Sequence, residues 1–396
     1  MAITSPPRHV KNILVQLQSR GHLAYLVGGC VRDMFTGRRP NEWDICTSAL
    51  PSQVMELFPG STPSEGREGC VTVRINSRQA SVSTFRSEFG YARAVHGGSL
   101  SYVAELNADL KGRDFTVNAI ALPADGLVAD PFGGVEDIEK KLIRCVGVPE
   151  ERFDENPMLM LRAFRYCAKL GFEIEEKSLA AIESKAHLAA MLPAVLLREE
   201  IEKILISDRP ETVESLATLG LLDAYTDKRV CADPDFIRLR RIPRKPLYRW
   251  AGLCWLLHRQ NAVDSIEVFM QNLELDSRTS RCCVSALEFM ESRRPESRLE
   301  WKKLLRDQGV DAACCSACCR DTFFGGNCRK ELGQILKSGE CFSMRHLAVS
   351  ADDLLSIGLD SERLTEMMDF LLEYAMEYPE YNRRELLLAM CAGSED

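Results

Sequence analysis

No stretch of this sequence is apolar over the length that a bilayer span requires. The N-terminal residues, Met1-Ala-Ile-Thr-Ser-Pro-Pro7, lack a basic segment followed by an apolar run, so no secretory signal is expected. Together these absences predict a cytoplasmic protein with no membrane partner. Internal repeats and low-complexity tracts are missing too, which excludes solenoid and fibrous architectures. Positive charge is in short supply. Fifty Lys and Arg stand against 58 Asp and Glu, a net charge of -8, so any RNA contact must use local patches. Histidine is scarce, six in 396 residues, with no pairing at metal-ligand spacing. No Ser/His/Asp or Cys/His nucleophile can be argued from spacing.

Cysteine, by contrast, is abundant. Its 16 copies are scattered, many at buried-looking helix positions, which predicts free thiols in a reducing compartment. Cys314-Cys315-Ser-Ala-Cys318-Cys319 contains overlapping C-x₂-C spacings. A zinc site would need a second knuckle, and Ala312, Ala313 and Ala317 point instead to a close-packed helix of small residues. The length allows two or more domains with ample core.

The chain is organised around Ala24–Asp33 and Asn41–Thr47. Leu23 to Val27 reads as a buried strand, which Gly28-Gly29 break. Paired glycines at a strand-to-helix turn let backbone N–H groups approach a phosphate. A short helix from Cys30 to Thr36 follows, with Gly37 as its C′ residue and Arg32 one turn in, able to face the same anion. Beyond Pro40 strand alternation places Glu42 and Asp44 on one face. Mg²⁺ held by these carboxylates and by substrate phosphates would relieve their repulsion. Taken alone, the same residues also fit an ordinary turn beside surface acids.

Val27-Gly-Gly-Cys-Val-Arg-Asp33, Gly37-Arg38, Asp44-Ile-Cys-Thr47, Thr84-Phe-Arg86, Arg113-Asp-Phe-Thr-Val-Asn-Ala119, Asp130-Pro-Phe-Gly-Gly134 and Leu161-Arg-Ala-Phe-Arg-Tyr166 follow one another over residues 20 to 172. In order and spacing they resemble class II tRNA nucleotidyltransferases, the CCA-adding enzymes and their bacterial poly(A) polymerase relatives. The resemblance implies an α+β head with a small mixed sheet, then an all-α neck, body and tail. Its implied boundaries are 1–148 for the catalytic head, 149–210 for the nucleotide-template neck, 211–292 for the body and 293–396 for an RNA-binding tail. It implies transfer of CMP and AMP from CTP and ATP to the 3′ end of tRNA, with Mg²⁺ as cofactor, by a monomer or homodimer.

Glu42 and Asp44 would hold the metal. Gly28, Gly29, Arg32 and Arg113 would hold phosphates, with Asp114 and Asn118 near the ribose and Asn156, Arg162 and Arg165 facing the base. The sequence departs from the family at this site. Glu42 replaces an aspartate, and its extra methylene must be absorbed to keep Mg–O near ~2.1 Å. Ser81 falls where the family has a third acid. Asn156 and Leu159 replace the Asp and Arg of the base-template helix, and a lost two-pronged Arg–base contact weakens discrimination by ~1–3 kcal/mol. Arg93 and Val95 also differ, in a loop that carries His96. Two readings follow: an enzyme with altered nucleotide selection, or a weakly active or inactive paralogue that binds RNA or nucleotide.

Elsewhere the spacing predicts a helix over 8–20 and another over 50–58. Strands over 69–75 and 80–86 are joined by Asn76-Ser77-Arg78. A loop and short helix cover 87–112, a helix opens at Arg113–Thr116, and Asp130–Gly134 is a closing turn. Asn156-Pro157 reads as N-cap and N1 of a helix ending at Gly171, with helices from there to 391. Arg238, Arg240, Arg241, Arg244, Lys245 and Arg249, interleaved with Tyr248 and Trp250, form one basic cluster, and Arg293 to Arg306 carry another. Each is compatible with a solvated face; behind such a head, a tRNA-backbone surface is expected.

Overall fold

The computed structural model describes residues 5–75, 78–86 and 101–392. Two compact units emerge: residues 1–204 with 215–224, and residues 205–214 with 225–396.

The first unit opens with α1 (Arg8–Ser19), whose Val10, Ile13, Leu14 and Leu17 form one fully buried stripe at helical spacing. β1 (Ala24–Val27), α2 (Gly29–Phe35), β2 (Asp44–Thr47), α3 (Pro51–Leu57), β3 (Thr62–Pro63), β4 (Cys70–Ile75), β5 (Arg78–Thr84), α4 (Leu106–Lys111) and β6 (Ala121–Leu122) follow. The strands make one mixed sheet in the order β3-β4-β5-β2-β1-β6, with β2 and β5 parallel and the other neighbours antiparallel. In the parallel pair Asp44 lies opposite Ser81. Behind the sheet, Val27, Cys46, Phe85, Leu110, Ala119, Ala121 and Val146 form a buried cluster.

Gly28 stops β1 with φ +74°, and Arg32 N then donates to Gly28 O at 3.1 Å to start α2. Gly37 ends α2 in the left-handed region, and Arg38 N closes the turn on Asp33 O at 2.8 Å. Arg113–Thr116 does not open a helix, contrary to the sequence pattern. The Phe115 backbone is extended and bridges Cys145, Thr116 N donates to Arg144 O at 2.9 Å, and only a 3-10 turn, Thr116–Asn118, follows. Asp130 is more than a turn residue. Its carboxylate accepts from Gly134 N at 2.7 Å and Val135 N at 2.9 Å, capping α5 (Gly134–Lys140).

β7 (Leu142–Ile143), α6 (Pro149–Glu155), α7 (Met158–Leu170), β8 (Glu173–Ile174), α8 (Glu176–Lys185) and α9 (Ala194–Leu205) come next. Pro157, expected as the first helical residue, lies just outside α7, while Asn156 Oδ1 accepts from Met158 N at 3.2 Å. α10 (Thr212–Thr218) leads to the second unit, which is helical. Its α11 (Pro246–Arg259), α13 (Ser277–Glu291) and α15 (Val310–Phe323) bury Cys254, Cys282, Cys283, Cys315, Cys318 and Cys319, with α12 (Ile266–Asn272) alongside in the chain. α14 (Arg298–Gln308), α16 (Cys328–Ser338), α17 (Ala351–Ser356), α18 (Leu364–Glu377) and α19 (Arg384–Ala392) complete it. The expected turn residues Asn76 and Ser77, and the loop with Arg93, Val95 and His96, lie outside the described residues.

Candidate active site

Gly28, Asp44 and Arg113 converge although they are far apart in the chain. A Cβ on Gly28 would lie 3.3 Å from Arg113 Nη1 and 3.9 Å from Asp44 Oδ2. That crowding, with the positive φ, is why glycine stands there. Asp44 is the first residue of β2; Trp43 O accepts from Ser81 N at 2.9 Å, and Glu42 sits in an exposed bend just before it. Burial pushes the Asp44 carboxyl up, Arg67 and Arg113 oppose this, and the Glu42 charge adds to it.

Neither Glu42 nor Asp44 makes a salt bridge or side-chain hydrogen bond to another described residue. A half-buried carboxylate left without a donor, beside a second carboxylate, fits a hard cation that takes one or two carboxylates together with substrate phosphates. Among the described residues no group of three His, Cys, Asp or Glu gathers around a metal position. Ser81, where a third acid would stand, instead shares a hydrogen bond with Cys70 Sγ at 3.0 Å.

Arg113 is anchored by Asp109, a buried carboxylate 3.0 Å from its Nη2. Arg152 of α6 holds the preceding backbone, donating to the carbonyls of Gly112 and Arg113, both at 3.1 Å. Arg32 lies beneath the glycine turn and is 2% exposed. It donates to Asn118 Oδ1 at 2.6 Å, pairs with Asp33 at 2.8 Å, and stacks over the Tyr166 ring at 5.4 Å. Asn118 passes the network on, donating to Asp114 Oδ1 at 2.9 Å. Asp114 also accepts from Phe115 N at 2.8 Å and from the Tyr166 hydroxyl at 3.4 Å, and pairs with Arg162 at 2.5 Å. Burial alone would raise the Asp114 carboxyl; Arg162, Asn118 and the Phe115 N–H outweigh it and hold the group below the usual carboxylate range.

The expected base-facing residues are each engaged by the protein. Asn156 is buried as a cap, Arg162 is tied to Asp114, and Arg165 pairs with Glu200 at 2.5 Å and stacks on Tyr166 at 4.3 Å. Leu159 is 2% exposed and packs as core. Sequence reasoning missed Tyr166, Asp109, Asp33 and Arg67. Tyr166 and Asp33 both lie inside the motifs already quoted, but their partners come from distant segments.

The first basic cluster is largely spent internally. Arg240 pairs with Glu211, Arg244 with Asp208, and Arg238 with Asp235 at 2.7 Å. Arg249 does not face a partner at all. It is 2% exposed and donates to the carbonyls of Ile242 at 2.7 Å and Leu205 at 2.6 Å, stitching backbone that would otherwise be unsatisfied. Arg241 and Lys245 are exposed, with no carboxylate partner among the described residues.

Comparison with known proteins shows the family. Residues 24–144 match the Poly A polymerase head domain, and residues 171–225 match the probable RNA and SrmB-binding site of polymerase A. The CCA-adding enzyme of Geobacillus sp. (strain WCH70) is 33% identical over 358 residues, covering 88% of this chain and 87% of the relative. That of Geobacillus kaustophilus (strain HTA426) is 35% identical over 331 residues, 79% of each. The crystal structure of the Bacillus stearothermophilus CCA-adding enzyme in complex with CTP superposes with a TM-score of 0.82 at 29% identity, covering 98% of both chains.

Proposed function

Because this chain belongs to the family of CCA-adding enzymes and poly(A) polymerases, we propose that it transfers CMP and AMP from CTP and ATP to the 3′ end of tRNA. The observation that carries the reading is the convergence of Gly28, Asp44 and Arg113 at the end of a head sheet. The bond formed joins the RNA 3′ hydroxyl oxygen to the α-phosphorus, and the bond broken releases pyrophosphate. Mg²⁺, when bound by Glu42 and Asp44, supplies Lewis-acid neutralisation of the phosphate charge. Gly28 and Gly29 keep the turn free of side chains where the triphosphate lies. Arg113, held by Asp109, presents a fixed cation beside Asp44. Arg32 acts from beneath the turn, and Asp114 and Asn118 order the floor near the ribose.

The base is read beside α7. Arg162 and Arg165 reach it from their partners Asp114 and Glu200, so both donors are pre-aligned. With Asn156 turned to capping, one of the three expected base contacts is lost, and Leu159, in the core, offers none in its place, which supports altered nucleotide selection. The division of labour follows head (1–148), neck (149–210), body (211–292) and tail (293–396), with Arg241 and Lys245 as the phosphate contacts left open in the first basic cluster.

A specific observation favours a second reading, an RNA-binding paralogue without catalysis: Ser81 brings no charge to the metal position and its hydroxyl is taken by Cys70. Labelled CTP and ATP, separately and together, offered with Mg²⁺ or Mn²⁺ and tRNA lacking its 3′ end, separate the two. Incorporation that disappears in Asp44→Ala, with the head still folded, is the expected result. Wild-type transfer in that variant would sink the metal assignment, and tRNA binding without incorporation would establish the second reading.

A further inference from the structure

Between Leu364 and Asn382 the chain has five carboxylates, Glu366, Asp369, Glu373, Glu377 and Glu380, and no lysine or arginine. α18 and the 3-10 turn Pro379–Tyr381 run through this segment. Leu371, Leu372, Ala375 and Met376 turn inward and are buried. The spacing that buries them leaves Phe370, Tyr374 and Tyr378, four residues apart, along another face. Phe370 is 53% exposed, and Tyr378 and Tyr381 are each 41% exposed.

The four rings adjoin. Phe370 and Tyr374 stack with centroids 6.3 Å apart, Tyr374 lies 5.0 Å from Tyr378 and 5.7 Å from Tyr381, and the last two are 6.3 Å apart. Scattered exposed aromatics need no explanation, but a contiguous ladder of four is the composition of an interface core. Its charge selects the occupant. Of the five carboxylates only Glu373 has an ion pair among the described residues, with Arg306 at 3.2 Å and Lys303 at 3.7 Å. The Glu377 charge, joined by that of Glu380, raises the Tyr378 phenol. A nucleic acid stacked on these rings would carry its phosphates into the same field. An arginine side chain meets both features, since its guanidinium stacks on a tyrosine face and pairs with a carboxylate beside it.

We propose that the outer face of α18, built on Phe370, Tyr374, Tyr378 and Tyr381, docks a partner protein through an arginine-rich cationic segment. The test uses the full chain and a fluorescein-labelled octa-arginine peptide as probe, with octa-lysine at equal charge. Binding of octa-arginine should exceed that of octa-lysine. It should fall about tenfold in the double variant Phe370→Ala/Tyr378→Ala, which keeps every charge, and similarly in Glu377→Gln/Glu380→Gln. Both altered rings are exposed, and an unchanged thermal melt establishes that the fold persists. Equal binding by the aromatic variant would overturn the proposal, reducing the face to diffuse charge. So would a wild-type dimer abolished by the same variant, which makes a second copy the occupant. Photocrosslinking of single-stranded RNA to Tyr378 would also overturn it.

Discussion

Replacing Asp114 with asparagine removes one charge from the network that ties α7 to the head and leaves its shape almost intact. The amide oxygen introduced can still accept from Phe115 N, but Arg162 loses its anion, 2.5 Å away, and keeps only the Tyr166 hydroxyl at 3.4 Å. Breaking a fully buried charge pair from one side costs ~3–5 kcal/mol. The Arg162 side chain is 35% exposed and regains some hydration, which lowers the expected cost to about 2–3 kcal/mol. For a unit of about 200 residues this corresponds to a fall in Tm of roughly 5–10 °C.

The sign of the pH dependence follows from the depressed Asp114 carboxyl. Its stabilisation is fully present above the unfolded carboxylate range and is lost as pH falls through the lower folded value. The variant should therefore lose part of the acid sensitivity of the first unit. Thermal melts of the full chain at pH 7 and pH 4, with Arg162→Met and the double variant completing a cycle, measure the coupling. A double variant no less stable than Arg162→Met alone is expected. Fully additive losses, or an Asp114→Asn shift near zero, would refute the claim that this pair joins the helix to the head.

Three further outcomes follow from the same geometry. Gly28→Ala places a Cβ against Arg113 Nη1 at a φ of +74°; a loss of ~1–3 kcal/mol and a drop in transfer of at least about tenfold are expected, read by denaturation and by CTP incorporation. Ser81→Asp restores an acid opposite Asp44 and should lower the Mg²⁺ concentration giving half-maximal transfer; an unchanged Mg²⁺ titration would show that residue 81 stands outside the metal position. Glu340→Gln leaves Lys302, itself 1% exposed and 2.6 Å from that carboxylate, without its counter-charge, and should cost about 2–4 kcal/mol in urea unfolding at pH 7. The hydrogen bond from Arg298 chiefly holds Glu340 down to about 2, so the wild type should lose this stabilisation as pH falls from the unfolded carboxylate range toward 2.

Local pattern made much of this legible. The stripe of α1, the glycine break after β1 and the helical second half all follow from spacing and turn chemistry, whereas Ser81 stands out only through the family resemblance and its register with Asp44 is a finding of the structure. What failed was non-local. Arg113–Thr116 has a helix-compatible composition, yet its backbone is claimed by Arg144 and Cys145, some 30 residues on. α6 begins with Pro149 and two glutamates, a good helix start, but is only seven residues long and was hidden by the stronger α7 pattern. Arg249 looks like its basic neighbours in sequence; only the fold shows that its donors close open carbonyls. Tyr166 sits within a motif, but its contacts to Arg32 and Asp114 bridge more than 50 residues, beyond the reach of any sequence window.

The buried thiols have a consequence for how the chain ages and opens. Of the 16 cysteines only Cys231 is exposed and Cys314 partly so; the other fourteen are buried, and none is in a disulfide. Burial pushes Cys30, Cys145 and Cys318 up to about 12, far from the thiolate that reacts with oxidants and alkylating agents. The native chain therefore behaves toward such reagents as if it had one or two cysteines, and each further thiol becomes reactive only when its surroundings come apart. Five of the buried thiols lie in the first unit and nine in the second. Their modification records separately how often each unit opens, and a chain modified at a buried thiol is one in which that thiol's surroundings had already come apart.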